Sequence, residues 1–177
     1  MNVFHVSAAT VEGYVTKREP FRKAHIERLK ELRSKGVVRM GGPWPDGRGV
    51  DLVYRAKDAA ELKSLVEGDP YWSGGVWSSY AALPFSVFVE PKEEVPVVLD
   101  GSRKLFIVEG PAEDALGVEP ALVTLRDQGR LMLGGVVEQR LWALANTADE
   151  AQALRWVADA TRLEAGRLGA RPLFYVL

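Results

Sequence analysis

The chain has 177 residues, of which 47% are hydrophobic and 27% charged, and its formal net charge is −1. This composition is typical of a globular protein, and the balance of charge argues against binding to nucleic acid, which favours a basic surplus. The absence of cysteine excludes disulfides and cysteine nucleophiles, and only His5 and His25 offer an imidazole to a metal ion. No apolar run approaches the ~20 residues of a membrane span, so we expect a cytoplasmic protein without metal or membrane partner. The excess of Arg over Lys, 15 to 8, is typical of thermophilic proteins.

The first half of the chain predicts the element order β-α-β-β-α-β. The predicted elements are a strand near residues 3–6, a helix over 20–35, strands over 37–40 and 51–56, a helix over 58–67 and a strand over 76–83. Pro20 suits the first turn of the first helix, and Gly36 suits its end. Apolar and polar residues alternate over 51–56, which indicates a half-buried strand. This order is that of a ferredoxin-like unit.

The second half repeats the first. Residues 32–42 and 125–135 match at five identical positions, and each segment ends a helix at a glycine and leads through four strand residues to a Gly-Gly pair. Capping-box patterns at Asp58 and at Thr147 open a later helix in each half. The second half therefore predicts a strand near 104–108, a helix over 120–128, strands over 130–133 and 140–145, a helix over 148–162 and a strand over 173–177.

The two halves are joined by a short charged segment between two prolines. This segment, residues 90–96, is typical of a semi-rigid linker, so we predict one unit over 1–90 and a second over 97–177. Each predicted sheet has helices on one face only, and its other face needs a cover. We therefore predict an α+β fold in which two tandem ferredoxin-like units form an intrachain pseudo-dimeric α/β barrel. A further homodimer of the whole chain is left open.

The first predicted helix carries a histidine on its apolar face. At 100° per residue, His25 and Arg28 point the same way as Phe21 and Leu29. This pattern fits a buried, hydrogen-bonded histidine beside a snorkelling arginine, and it equally fits a titratable pair at a ligand site.

A second candidate feature follows the other predicted helix of the first half. Pro70 prevents that helix from continuing, so Asp69 is presented at a helix-to-strand corner, as an ordinary turn residue or as a site residue. Aromatic residues cluster in or near the loops of this half, where they either line an apolar ligand cavity or cover a small core. They are Trp44, Tyr71, Trp72, Trp77 and Tyr80.

Four segments of the first half resemble the YCII-related (YciI-like) family. They read RKAHIERL at 22–29, GVVRMGGP at 36–43, DPY at 69–71 with GGV at 74–76, and PF at 84–85, in the family's order and spacing over about residues 3–89. The resemblance implies a ferredoxin-like fold that pairs into a dimeric α/β barrel. It also implies a site built on a histidine and an aspartate, which match His25 and Asp69. One kind of member is a dehydrochlorinase of a chlorinated hydroxyquinol, and many members have no known activity.

On this basis we expect a cofactor-independent enzyme of the lyase or isomerase type that acts on a small conjugated or aromatic acid. His25 would be the general acid or base, and Asp69 would orient its ring. The predicted substrate-binding residues are Arg28, Trp44, Tyr71 and Trp77, with Arg18 and Arg22 as further candidates to hold an anionic oxygen. The alternatives are a non-catalytic module that binds a small regulatory molecule and a purely structural domain with an idle His-Asp pair.

The second half lacks this pair, which makes it a degenerate copy. At an offset of 93 residues His25 corresponds to Val118, and near an offset of 91 Asp69 corresponds to Ala160. The predicted site therefore occurs once per chain, between the His25 helix, the 69–75 corner and the Trp44 loop. Because the two helices of a split βαβ unit run side by side, a separation of about 10 Å or more between His25 and Asp69 is an open alternative to contact.

Overall fold

The computed structural model describes residues 1–112 and 115–177. The chain divides into two compact units, one of residues 1–84 with 175–177 and the other of residues 85–174. The division falls inside strand β4 (Trp77–Val89), because the first part of this strand pairs within the first unit and the second part within the second. The predicted end of the first repeat at residue 90 and the predicted start of the second at residue 97 stay predictions.

The first unit has the predicted element order with two added single-turn helices. Its elements are β1 (Asn2–Thr10), α1 (Tyr14–Lys17), α2 (Glu19–Ser34), β2 (Val38–Pro43), β3 (Gly49–Ala56), α3 (Ala59–Glu67), α4 (Pro70–Ser73) and the first part of β4. The strands pair antiparallel in the order β2-β3-β1-β4, which is the ferredoxin-like order.

The second unit repeats this topology. Its elements are β5 (Lys104–Pro111), α5 (Ala115–Asp127), β6 (Leu131–Val137), β7 (Arg140–Ala145), α6 (Glu150–Thr161), a 3-10 turn (Ala165–Arg167) and β8 (Gly169–Phe174). The strands pair antiparallel in the order β6-β7-β5-β8, and residues 85–89 of β4 pair with the outer edge of β6. Both units therefore have the same, ferredoxin-like strand order. The predicted α+β class with two tandem ferredoxin-like units is confirmed.

Local signals in the sequence placed several helix ends correctly. Gly36 has a φ of +70° directly after the last turn of α2, and Asp58 accepts a hydrogen bond from the backbone N–H of Glu61 at 2.8 Å to cap α3. The prediction of a capping box that begins at Thr147 is wrong. Asp149 caps α6 instead, because its side chain accepts from the backbone N–H of Gln152, while Thr147 accepts from the N–H of Asp149.

Other boundaries differ because tertiary packing outweighs local pattern. Helix α5 begins at Ala115, before the predicted start at Pro120, which lies inside the helix. Strand β8 begins at Gly169 because it pairs with β5 along its whole length. The strand over 51–56 is not half-buried, since Asp51, Leu52, Val53 and Tyr54 are all inaccessible to solvent. Both faces of β3 are therefore covered.

Candidate active site

His25 and Asp69 lie in direct contact in the first unit. The Nδ1 atom of His25 is 2.7 Å from Oδ1 of Asp69, and both residues are buried. A separation of about 10 Å, the open alternative above, is therefore wrong. The chain turns at Gly68 directly after α3, and Asp69 begins α4, which packs against α2 and brings the carboxylate to the histidine.

The hydrogen bonds of Asp69 fix which nitrogen of His25 carries the proton. Its Oδ1 also accepts from the backbone N–H of Tyr71 at 2.8 Å, in the manner of a helix cap. An ionised carboxylate has no proton to give, so the Nδ1 atom of His25 must be the donor. Neutral His25 then has its lone pair on Nε2, and no described contact of the chain occupies that atom. This is the arrangement of an oriented general base.

Arg28 lies on the other side of the Asp69 carboxylate. Its Nη1 is 3.7 Å from Oδ2 of Asp69, and its Nη2 donates to the carbonyl of Leu65 at 2.9 Å. Both Nη1 and Oδ2 are buried, and neither makes a hydrogen bond within the described part of the chain. The guanidinium of Arg28 therefore lies opposite the negative charge of Asp69, at a distance just beyond a hydrogen bond. Its predicted contact with substrate stays a prediction.

Aromatic rings enclose the imidazole of His25. The Tyr71 ring stacks on it with centroids 3.7 Å apart and planes 9° from parallel. The Trp77 ring stands at 88° to the imidazole, at a centroid distance of 5.6 Å. Burial, more than any charged neighbour, raises the pKa of Tyr71, so its phenol stays protonated at neutral pH. Tyr71 and Trp77 therefore provide shape and an apolar surface, not a second base.

The guanidinium of Arg18 lies at the edge of this group of aromatic rings. The Nη1 atom of Arg18 donates to the Tyr14 hydroxyl at 3.2 Å, and the Tyr14 ring in turn meets the Tyr71 ring edge-on at 6.3 Å. The Nε atom of Arg18 is buried, makes no hydrogen bond in the described residues and lies 3.7 Å from Oε1 of Glu19. An unsatisfied buried donor is costly, and Arg18 shares this feature with Arg28.

The structure does not bring Trp44 to this group. Its Nε1 donates to Oδ2 of Asp51 at 2.6 Å, and Oδ1 of Asp51 is 2.6 Å from Nε2 of His5. Asp51 and Tyr54 lie on opposite faces of β3, and Tyr54 is the residue on the side of Asp69 and Arg28. The chain thus has a second buried His-Asp pair, which the sequence did not reveal because His5 and Asp51 meet only through strand pairing.

No metal centre is built among these side chains. Within residues 1–112 and 115–177, no group of three or more His, Asp or Glu residues is placed to hold a metal ion.

No helix in the described part of the chain is long and apolar enough to cross a membrane.

Comparison with protein families supports what the motifs suggested. Residues 3–86 match the model of the YCII-related domain. The family resemblance of the first half is therefore confirmed, and this range includes His25, Asp69 and every other residue of the site described above. No curated protein matches the chain significantly.

Solved structures share the fold of the chain. A protein from Lactobacillus acidophilus NCFM, provisionally assigned as a monooxygenase, aligns over 99% of this chain and 94% of its own length, with 9% identity and a TM-score of 0.62. A similarly assigned protein from Fusobacterium nucleatum aligns over 98% of this chain and 90% of its own, with 8% identity and a TM-score of 0.58. At these identities the likeness shows the fold alone.

A third structure aligns with less than half of this chain. It is the 5-chloro-2-hydroxyhydroquinone dehydrochlorinase of Burkholderia phenoliruptrix AC1100, in complex with 2,5-dihydroxybenzoquinone. It is 25% identical, covers 45% of this chain and 89% of its own length, and has a TM-score of 0.41.

One glycine of the YCII-related domain holds α4 against α2. A Cβ atom on Gly74 would lie 2.7 Å from the ring of Phe21, closer than real contacts allow. We expect Gly74→Ala to push α4, with Tyr71 and Asp69, away from α2 and to lower the free energy of unfolding by about 1–3 kcal/mol. Denaturant unfolding measures this change. The exposed neighbour Ser73 is the control, since Ser73→Ala should change stability by less than about 0.5 kcal/mol. Equal stability of the two variants would contradict the close-packing argument.

Proposed function

We propose that the YCII-related domain of this chain is a cofactor-independent proton-transfer enzyme of the lyase or isomerase type. Its substrate is a small conjugated or aromatic acid. The observation that carries the proposal is the buried 2.7 Å contact of His25 Nδ1 with Asp69, which leaves Nε2 as the reactive atom.

The proposed reaction begins with a proton transfer to His25. Its Nε2 removes a proton from a carbon or hydroxyl next to the conjugated system, and the electron pair left behind spreads into that system as an enolate or phenolate. In an isomerisation the same proton returns to a different carbon. In an elimination the electron pair expels an anionic leaving group, and the proton leaves from His25 to solvent.

Neighbouring groups support the charges that arise in these steps. Asp69 holds the imidazole and stabilises it once it is positively charged, while Arg28 balances Asp69 in the resting state. Arg18, whose buried Nε makes no hydrogen bond in the described residues, is the proposed partner of the developing enolate or phenolate oxygen. Tyr71 and Trp77 give the site an apolar wall suited to a flat ring.

A binding function without turnover is the second candidate. The side chain of His25 is only 8% exposed and is covered by Tyr71, so a ligand can be held at the aromatic group without reaching Nε2. Two experiments separate the candidates. Purified protein is screened for turnover of chlorinated hydroxyquinols and small conjugated acids, and the same panel is titrated for binding through tryptophan fluorescence. Saturable binding with no turnover across the panel would favour the second candidate and discard the first.

The variant Asp69→Asn tests how the carboxylate acts. The amide oxygen of asparagine can still accept from Tyr71 N–H and His25 Nδ1, so the ring keeps its orientation, but the negative charge is lost. We expect turnover to fall, though by less than in His25→Ala, and KM to change little. Steady-state kinetics measure both parameters. Unchanged turnover in Asp69→Asn would show that the charge of Asp69 does not assist the reaction.

A further inference from the structure

The second unit has a cavity of about 610 Å³ between the helices α5 and α6. This volume lies in the range of pockets that hold small organic molecules. Most of its lining residues are apolar, and two threonines and two arginines also line it. The lining residues that matter here are Val118, Ala121, Ala160, Leu163, Arg162 and Arg167.

The cavity occupies the position that the His25–Asp69 site has in the first unit. The buried Leu29 of α2 corresponds to the buried Leu122 of α5 at an offset of 93 residues. The buried Val66 of α3 corresponds to the buried Val157 of α6 at an offset of 91. In this alignment Val118 replaces the histidine and Ala160 replaces the aspartate, so both repeated positions line the cavity.

The space is open because the second unit lacks the helix that fills it in the first. In the first unit α4 follows α3 directly and stacks Tyr71 on His25. In the second unit α6 is followed by the 3-10 turn Ala165–Arg167, and residues 161–173 include no aromatic side chain. The loss of the His-Asp pair and of the covering aromatic ring therefore leaves a pocket without acid-base groups at its two key positions.

We propose that this cavity binds a small organic anion with an apolar body and does not transform it. The apolar residues contact the body of the ligand, and Arg162 pairs with its carboxylate or sulfonate. Arg162 has a left-handed backbone conformation at the end of α6 and is exposed to solvent. No side chain among the described lining residues is acidic. The two arginines thus favour an anion over a cation as the ligand.

The test uses the full chain and the fluorescent anion 8-anilinonaphthalene-1-sulfonate. We expect saturable binding that naphthalene-1-carboxylate displaces and its neutral amide does not. Arg162→Gln should weaken binding by about tenfold, and Ala160→Phe, which fills the cavity, should abolish it. Arg155→Gln is the matched control, because Arg155 is an exposed arginine of α6 that does not line the cavity, and it should leave the affinity unchanged.

Two further results would overturn the proposal. The first is a wild-type affinity for the probe in Arg162→Gln. This result is informative because Arg162 is exposed, so its replacement should not disturb the fold. The second is loss of binding in His25→Ala, since that would place the probe in the YCII-related domain. Thermal unfolding of Ala160→Phe checks that this variant is folded. These readouts are independent of turnover, so they stand whether or not the first unit is an enzyme.

Discussion

Replacing His25 by alanine is expected to lower turnover by about 10²–10⁴-fold, the usual contribution of a positioned acid-base group. The variant removes Nε2, the proposed acid-base atom, which belongs to the ring that Asp69 orients through Nδ1. Tyr71 does not substitute for it, because burial raises the pKa of its phenol. The measurement is kcat/KM on a substrate found in the screen.

The control for this variant lies on the same helix. Lys23 of α2 is fully exposed to solvent at its tip and lies outside the site, so Lys23→Ala should keep wild-type turnover and stability. His25→Ala also removes the stack with Tyr71, so its thermal unfolding must be measured beside the rate. Wild-type turnover in a folded His25→Ala protein would discard the catalytic proposal.

Replacing Asp51 by alanine is expected to lower the free energy of unfolding by about 3–5 kcal/mol, the largest stability effect we predict. The carboxylate is fully buried and holds both Nε2 of His5 and Nε1 of Trp44 at 2.6 Å. Its removal takes this acceptor from the buried His5 and the half-buried Trp44. Turnover of the folded fraction should not change, because Asp51 lies on the face of β3 away from Asp69.

Denaturant unfolding measures this effect, and Asp46→Ala is the matched control. Asp46 is an exposed aspartate of the neighbouring β2–β3 hairpin, with one hydrogen bond to the backbone N–H of Arg48. We expect Asp46→Ala to cost less than about 1 kcal/mol. A cost for Asp51→Ala no larger than that of Asp46→Ala would show that the second His-Asp pair does not stabilise the unit.

The element order of the first unit could be predicted because several of its helix ends have a local chemical signature. Gly36 takes a positive φ after α2 and Asp58 caps α3, and both effects depend on residues within one turn. The contact of His25 with Asp69 could not be predicted in this way. It depends on α4, a four-residue helix too short to show any periodicity, and on its packing against Phe21 through Gly74.

The sequence did not show which aromatic residues would contact His25, because this depends on the direction in which each side chain points. Tyr71 and Trp77 contact the ring of His25, whereas Trp44, predicted beside them as a substrate-binding residue, contacts Asp51. No pattern within the hairpin distinguishes these outcomes, because the direction of a loop side chain is set by tertiary contacts. The pairing of His5 with Asp51 likewise needs the register of β1 against β3, in which His5 stands opposite Val53.

The role of His25 in proton transfer is tested most directly by the pH dependence of kcat/KM, measured for wild type and His25→Ala on one substrate. We expect the wild-type value to fall as the pH is lowered, because a general base must be unprotonated to accept a proton. In His25→Ala the residual rate should be low and should not show that change. A His25→Ala profile with the same pH-dependent limb as wild type would contradict the assignment of His25 as the acid-base group.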